Sequence, residues 1–140
     1  MTVTLSDEVR AVVTAGRLAH LVTLNPDGSP QVSLVWVGLD GDRIVCAHLG
    51  AWRKVENLRR DPRVALSIEA DGREEHGLDR YLVVHGTAEI LEGGAPELLQ
   101  RLARVYLGPG VVFPPMVDPP PGFVTSISVD RIGGVGPWAG

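Results

Sequence analysis

A chain of 140 residues, 44% of them apolar, can hide roughly 70% of its unfolded surface, which excludes disorder, and it lacks the run of about 18 uncharged apolar residues that a membrane helix requires. A net charge of −4 and an aromatic content of only three Trp, two Tyr and two Phe argue against nucleic acid as a partner. The single cysteine, Cys46, excludes an internal disulfide, and with no charged start leading into an apolar stretch the expected location is the cytoplasm.

The opening reads as a helix: Ser6 is an N-cap, Asp7 and Glu8 suit the positive end, Val9, Val12 and Val13 share a face, and Gly16 stops it. From Leu18 the apolar period shortens to two. Strands are predicted over 18–24 and 31–39 around the turn Asn25-Pro26-Asp27-Gly28, and over 43–49 after a hairpin turn at Asp40-Gly41, the three forming a meander. Residues 51–60 lose the alternation, and Val55 with Leu58 mark a short amphipathic helix that ends before Asp61-Pro62. Residues 63–69 return to strand, 70–79 read as a solvated loop, and 80–91 as the longest strand, with Gly86 at a bulge. Residues 94–107 are helical, with Pro96 in the first turn and Leu98, Leu99, Leu102, Val105 and Tyr106 on one stripe. The proline-rich stretch 108–122 then reads as an extended connection to a sixth strand at 123–132. A parallel sheet would need a helix after nearly every strand, so the expectation is a mainly β, six-stranded antiparallel barrel with short helices, one domain over residues 1–140.

Familiar catalytic arrangements are missing. No His/Cys cluster has metal-ligand spacing, no serine elbow or P-loop occurs, and Gly133, Gly134 and Gly136 follow no βαβ unit. His20, His48, His76 and His85 are scattered, and Cys46 lies in an apolar strand without an adjacent base, where it reads as a packing residue. Such a chain either binds something or borrows its chemistry from a cofactor. The basic residues are less bland: Arg53, Lys54, Arg59, Arg60 and Arg63 crowd into 53–63 against only Glu56 and Asp61. Arg53, Lys54 and Asn57 open a helix directly after a strand, so two cations, an amide and free backbone N–H groups can converge on one phosphate. The competing reading is a solvated basic helix face with ordinary pairing along the helix.

Pro30-Gln-Val-Ser-Leu-Val-Trp-Val, then Asp40-Gly41, then Ile44-Val-Cys-Ala-His, then Trp52-Arg-Lys-Val-Glu-Asn-Leu-Arg-Arg-Asp-Pro-Arg-Val together resemble the pyridoxamine-phosphate-oxidase-like split β-barrel proteins. The strand from Arg80-Tyr81 through Gly86 to Glu89 and the ending Val129-Asp-Arg-Ile-Gly-Gly-Val-Gly-Pro-Trp138 look most like actinobacterial members that use the deazaflavin coenzyme F420 instead of FMN. The resemblance implies an FMN-binding-like split barrel and a homodimer with cofactor sites between subunits. It also implies a ring lying against Ser33, Leu34, Val35 and Trp36 and against Cys46, Ala47 and His48, with Arg53, Lys54 and Asn57 on the phosphate. Family members often carry a Ser or Thr hydroxyl where this chain has Ala47 and Ala51. The implied activity is hydride transfer from the reduced deazaflavin to a quinone, enone or tetrapyrrole, which needs no side-chain nucleophile; a proton would come from solvent, His48 or Tyr106. Two alternatives stay open: an FMN-dependent oxidase or flavin reductase, and a non-catalytic carrier of the coenzyme or of haem. Against pyridoxamine-phosphate oxidation, Arg131 is the lone C-terminal basic residue for a second phosphate. Trp36, Trp52 and Trp138 read either as packing or as pocket lining, and Val111 to Met116 either as a rigid connection or as a substrate wall.

Overall fold

The computed structural model describes residues 2–139. Its elements are α1 (Asp7–Val13), β1 (Ala19–Leu24), β2 (Pro30–Val35), β3 (Gly38–Asp40), β4 (Arg43–His48), α2 (Arg53–Arg60), β5 (Arg63–Arg73), β6 (Asp79–Glu92), α3 (Ala95–Tyr106) and β7 (Phe123–Val135). All strand pairs are antiparallel, in the order β2-β1-β5-β6-β7-β4-β3. The two edge strands, β2 and β3, are neighbours in sequence and separated only by Trp36 and Val37. A sheet whose opposite edges are two residues apart along the chain must roll up. No ladder joins those edges, so the roll is a barrel left open along one seam.

Its interior is filled by the inward residues of alternating strands, with Leu21, Ile44, Leu66, Ile68, Leu82, Val84 and Ile127 essentially inaccessible. Helix α1 adds Val9, Val12 and Val13 to this core, and the Ser6 hydroxyl accepts from Val9 N–H at 3.3 Å as the expected N-cap. A second, smaller cluster lies outside the barrel, where Leu98 and Leu102 of α3 cover Val45. Strand β4 is therefore sandwiched, which accounts for its nearly unbroken apolar run. At Gly86 the β6–β7 register shifts, as expected of a bulge. A Cβ there would meet the Ser128 carbonyl at 2.5 Å, so the glycine is what lets β7 come close.

Several sequence expectations change. The strand predicted over 31–39 is two strands on opposite sheet edges, which raises the count from six to seven and replaces the meander with two separate hairpins. The break is held by the Tyr106 hydroxyl, which accepts from Val37 N–H at 3.0 Å and donates to the Arg17 carbonyl at 2.7 Å. The second hairpin turns at Gly41-Asp42, one residue later than expected, with positive φ (+60°) at Gly41 alone. Much of the predicted loop at 70–79 is strand, because β5 runs on to Arg73 and pairs it with Asp79 across a short turn. Beyond Ala70, which packs against the core, the arm is exposed from 71 to 73, so its sequence shows no apolar alternation; ion pairs Arg73–Asp79 (2.7 Å) and Arg80–Glu74 (2.9 Å) line it instead. The last strand reaches Val135 rather than 132, and Val105, assigned to the apolar stripe of α3, is 54% exposed. Among the described residues no helix is long and apolar enough to cross a membrane.

Candidate cofactor site

The seam of the barrel opens into a cavity of about 250 Å³. Leu18, Leu34, Val35 and Trp36 line it from the β2 side, Ala47, Leu49, Trp52 and Lys54 from β4 and the start of α2, and Leu99 and Phe113 from α3 and the proline-rich segment. Lys54 is the one charged residue in this lining. Trp36 stacks on Tyr106 with ring centroids 5.3 Å apart and 15° between planes, and Phe113 tilts against Trp36 with centroids 5.1 Å apart and 55° between planes.

Leu34, Val35, Trp36, Ala47 and Lys54, five of the ten residues expected to contact a cofactor, line this cavity. Ser33 is half-buried and, by strand alternation, turns from the face that carries Leu34. On β4 the same alternation leaves Ala47 toward the cavity and sends Cys46 and His48 into the interior, where they are 0% and 1% exposed. Burial pushes the Cys46 thiol up to about 12, so it is no nucleophile, although an imidazole, His48 Nε2, lies 3.8 Å from its sulfur. Leu18, Leu49 and Leu99 were not among the expected contacts. Nothing local marks them, because their side chains meet only when the seam brings 18, 49 and 99 together.

His48 shares a hydrogen bond of 2.8 Å between Nε2 and Thr125 Oγ1, while its Nδ1 has no partner. Burial, and secondarily the nearby Lys54 charge, lowers its pKa from 6.5 to about 3. An imidazole depressed in the folded state is neutral there while the unfolded chain still takes up a proton. Its contribution to stability is fully present above about pH 6.5 and is lost as pH falls toward 3. Urea unfolding should show stability declining across that window by up to roughly 1.4 kcal/mol per pH unit from this group. The slope should flatten in His48→Gln; parallel pH profiles for the two proteins would contradict the assignment.

The five cations of the 53–63 island divide sharply. Arg59 pairs with Glu56 at 3.0 Å and with Glu92 at 3.8 Å, Arg63 pairs with Asp61 at 2.7 Å, and Arg60 donates to the Leu24 carbonyl and to Asn57. Arg53 and Lys54 have no carboxylate partner among the described residues. Arg53 is exposed toward the β1–β2 turn, where it adds weakly to the lowering of the Asp27 carboxyl that hydrogen bonds from Ser29 mainly cause. Lys54 lies over the Trp52 ring, 5.4 Å from its centroid, and partial burial lowers its pKa. Both stand at the start of α2, whose N-cap Trp52 supplies no side-chain cap, so the first N–H groups of the helix stay open toward the same corner.

Asn57, expected on the phosphate, is instead 1% exposed, and its amide is shared among Thr23 Oγ1 (3.0 Å), Asn25 Oδ1 (3.1 Å) and Gln31 Oε1 (3.3 Å). It ties α2 to the β1–β2 hairpin and so sets where Arg53 and Lys54 stand. Tyr106, with its hydroxyl engaged by Val37 and Arg17, has no free proton to offer, and Trp138 lies elsewhere, donating to the Tyr81 carbonyl at 3.2 Å.

The same chain that forms this open seam with its aromatic wall and cationic helix start matches the pyridoxamine 5′-phosphate oxidase family over residues 5–134. The chain belongs to the pyridoxamine 5′-phosphate oxidase family. Solved structures of similar fold include a protein named F420 reductase, 24% identical, with TM-score 0.71 over 92% of this chain and 98% of that one. A conserved hypothetical protein of Mycobacterium tuberculosis is 27% identical, with TM-score 0.70 over 95% of this chain and 85% of that one. An FMN-binding protein of Syntrophomonas wolfei is 15% identical, with TM-score 0.65 over 91% and 83%. The family match supports redox chemistry, and the fold is shared by proteins named for different flavin-type cofactors.

A flat ring with a phosphate-bearing tail suits this site. The apolar walls, two of them tryptophan, would hold a ring, and Arg53, Lys54 and the α2 N–H groups would hold an anion.

Proposed function

We propose that this protein is an oxidoreductase of the cytoplasm that uses reduced coenzyme F420 to reduce a small electron-poor organic acceptor of the quinone, enone or tetrapyrrole type. The observation that carries the reading is the cavity itself: tryptophan-walled and apolar, with Lys54 as the charged residue of its lining and Arg53 next to it at the start of α2, neither paired with a carboxylate among the described residues. When bound, the reduced coenzyme supplies a hydride. Everything else falls to the chain. Leu34, Val35, Trp36 and Ala47 exclude water and set the plane in which a ring can lie, Lys54 and Arg53 grip the anionic tail, and Asn57 holds the helix that presents them. With Tyr106 engaged and His48 buried and neutral, solvent provides the proton.

The reading includes a homodimer. One chain offers only about 250 Å³, below the roughly 300–1,000 Å³ of most small-molecule sites. Val32 and Leu34 on the edge strand β2, and Leu18 just before β1, stand about half exposed, a surface that a second copy would cover. FMN is the second candidate cofactor, because its phosphate suits the same two cations and an FMN-binding protein shares the fold.

Equilibrium titration of one preparation with F420 and with FMN tests the reading. Saturable change in F420 fluorescence, several-fold weaker binding of FMN, turnover of menadione with reduced F420, and a dimer by sedimentation are expected. FMN binding without an F420 response would make the protein a flavin enzyme, and binding without turnover of any acceptor would make it a carrier.

A further inference from the structure

The proline-rich segment between α3 and β7 contains six prolines in residues 108–122, and those six have no backbone N–H to donate. From residue 111 to residue 120, its hydrogen bonds to the rest of the chain, among the described residues, are two, and both go to one side chain. Gln100 Nε2 donates to the Val111 carbonyl at 2.8 Å, and Gln100 Oε1 accepts from Phe113 N–H at 3.0 Å. The amide grips the segment on both sides of Val112 as a neighbouring strand would. Val112 is left 78% exposed, and Phe113 turns inward onto Trp36 and into the cavity lining. One partner is a carbonyl and the other an N–H, so chemistry fixes which end of the amide faces which.

We infer that Gln100 is a positioning residue for the acceptor wall: it holds Phe113 against Trp36 and thereby sets the affinity of the cavity for flat apolar acceptors. The inference rests on the cavity being the redox site. A hydrophobic contact alone would let Phe113 slide along the Trp36 face, whereas two backbone hydrogen bonds fix where its ring stands. Gln100 itself is absent from the cavity lining and acts through its neighbour.

A double-mutant cycle tests this with menadione as acceptor and reduced F420 as donor, using the wild type, Gln100→Leu, Phe113→Ala and the double variant. Gln100→Leu removes both hydrogen bonds at similar volume, and Gln100→Glu keeps only the acceptor. The expected result is a KM for menadione raised at least about fivefold in Gln100→Leu, less in Gln100→Glu, with kcat and the F420 dissociation constant within about twofold. In the Phe113→Ala background, Gln100→Leu should have no further effect. Exchange of the Phe113 amide hydrogen should quicken in Gln100→Leu whether or not the protein turns over. Unchanged KM, or the same KM increase with and without Phe113, would overturn the inference while leaving the cofactor reading intact. If the wild type binds no F420, that reading fails instead. The inference is then judged by menadione quenching of tryptophan fluorescence: weaker in Gln100→Leu supports it, and equal or absent quenching ends it.

Discussion

Replacing Gly122 by Ala is expected to cost about 2–4 kcal/mol of stability, from overpacking combined with a left-handed backbone. Gly122 has φ +59°, and an added Cβ would sit 2.3 Å from the His48 carbonyl oxygen, 2.7 Å from Ala95 Cβ and 3.0 Å from Leu49 Cα. Two of these neighbours are backbone and cannot swing aside. His48 is locked by its pairing with Phe123, and the start of α3 is pinned by the hydrogen bond from Ala95 N–H to the Pro121 carbonyl at 3.0 Å. Relief therefore requires the end of β4 to separate from the end of the proline-rich segment. Because Ala47 and Leu49 line the cavity, the variant should also bind F420 more weakly. Gly110, where an added Cβ would meet no atom within 4 Å, is the control, and Gly110→Ala should stay within about 0.5 kcal/mol of wild type. Urea titration of both variants decides the matter: a Gly122→Ala curve overlying that of Gly110→Ala would mean that β4 yields easily.

The second large effect is expected on binding. Lys54→Ala and Arg53→Ala should each weaken F420 binding by roughly 10- to 100-fold, the equivalent of about 1.5–3 kcal/mol for a charge-assisted hydrogen bond. Stability should barely move, since neither side chain has a carboxylate partner among the described residues. For Lys54 it could rise, because the fold holds its ammonium in a place that lowers its pKa by desolvation. Arg59→Ala supplies the contrast. Its guanidinium is already paired with Glu56 and Glu92, so F420 affinity should change less than about twofold. Isothermal titration at two salt concentrations measures both points, with wild-type affinity falling as salt rises and that dependence reduced in the two alanine variants. Equal losses at positions 53, 54 and 59 would indicate a diffuse field in place of a built anion site.

Much of this was legible in the residues. Period-two alternation located the strands, Ser6 and Pro96 marked two helix starts, Gly86 marked the bulge, and the run from Trp52 to Val64 carried the family likeness that residues 5–134 bear out. The break in 31–39 was not legible, because Trp36 and Val37 are as apolar as the strand residues before them. What divides the strand is the Tyr106 hydroxyl, which arrives from the end of α3. Cys46, Ala47 and His48 were expected on the ring together, although alternation within one strand already sets the middle residue opposite the other two.

By itself the sequence determined most of the local things: which segments extend or coil, apart from the break at 36–37 and the strand residues 70–73, where they turn to within a residue, and that an acidic chain concentrates positive charge at 53–63. Local sterics and side-chain period act over a few residues, so the information is present wherever those residues are. Only the tertiary structure decided that Arg60 turns to the Leu24 carbonyl, that Asn57 faces inward, and that Gln100 clasps the segment holding Phe113. Each of those outcomes depends on a partner that folding brings from elsewhere in the chain: Leu24 for Arg60, Thr23 for Asn57, Val111 for Gln100. Hydrogen bonds and ion pairs act over a few ångströms, and no residue's neighbours in sequence reveal which distant group will come within that reach.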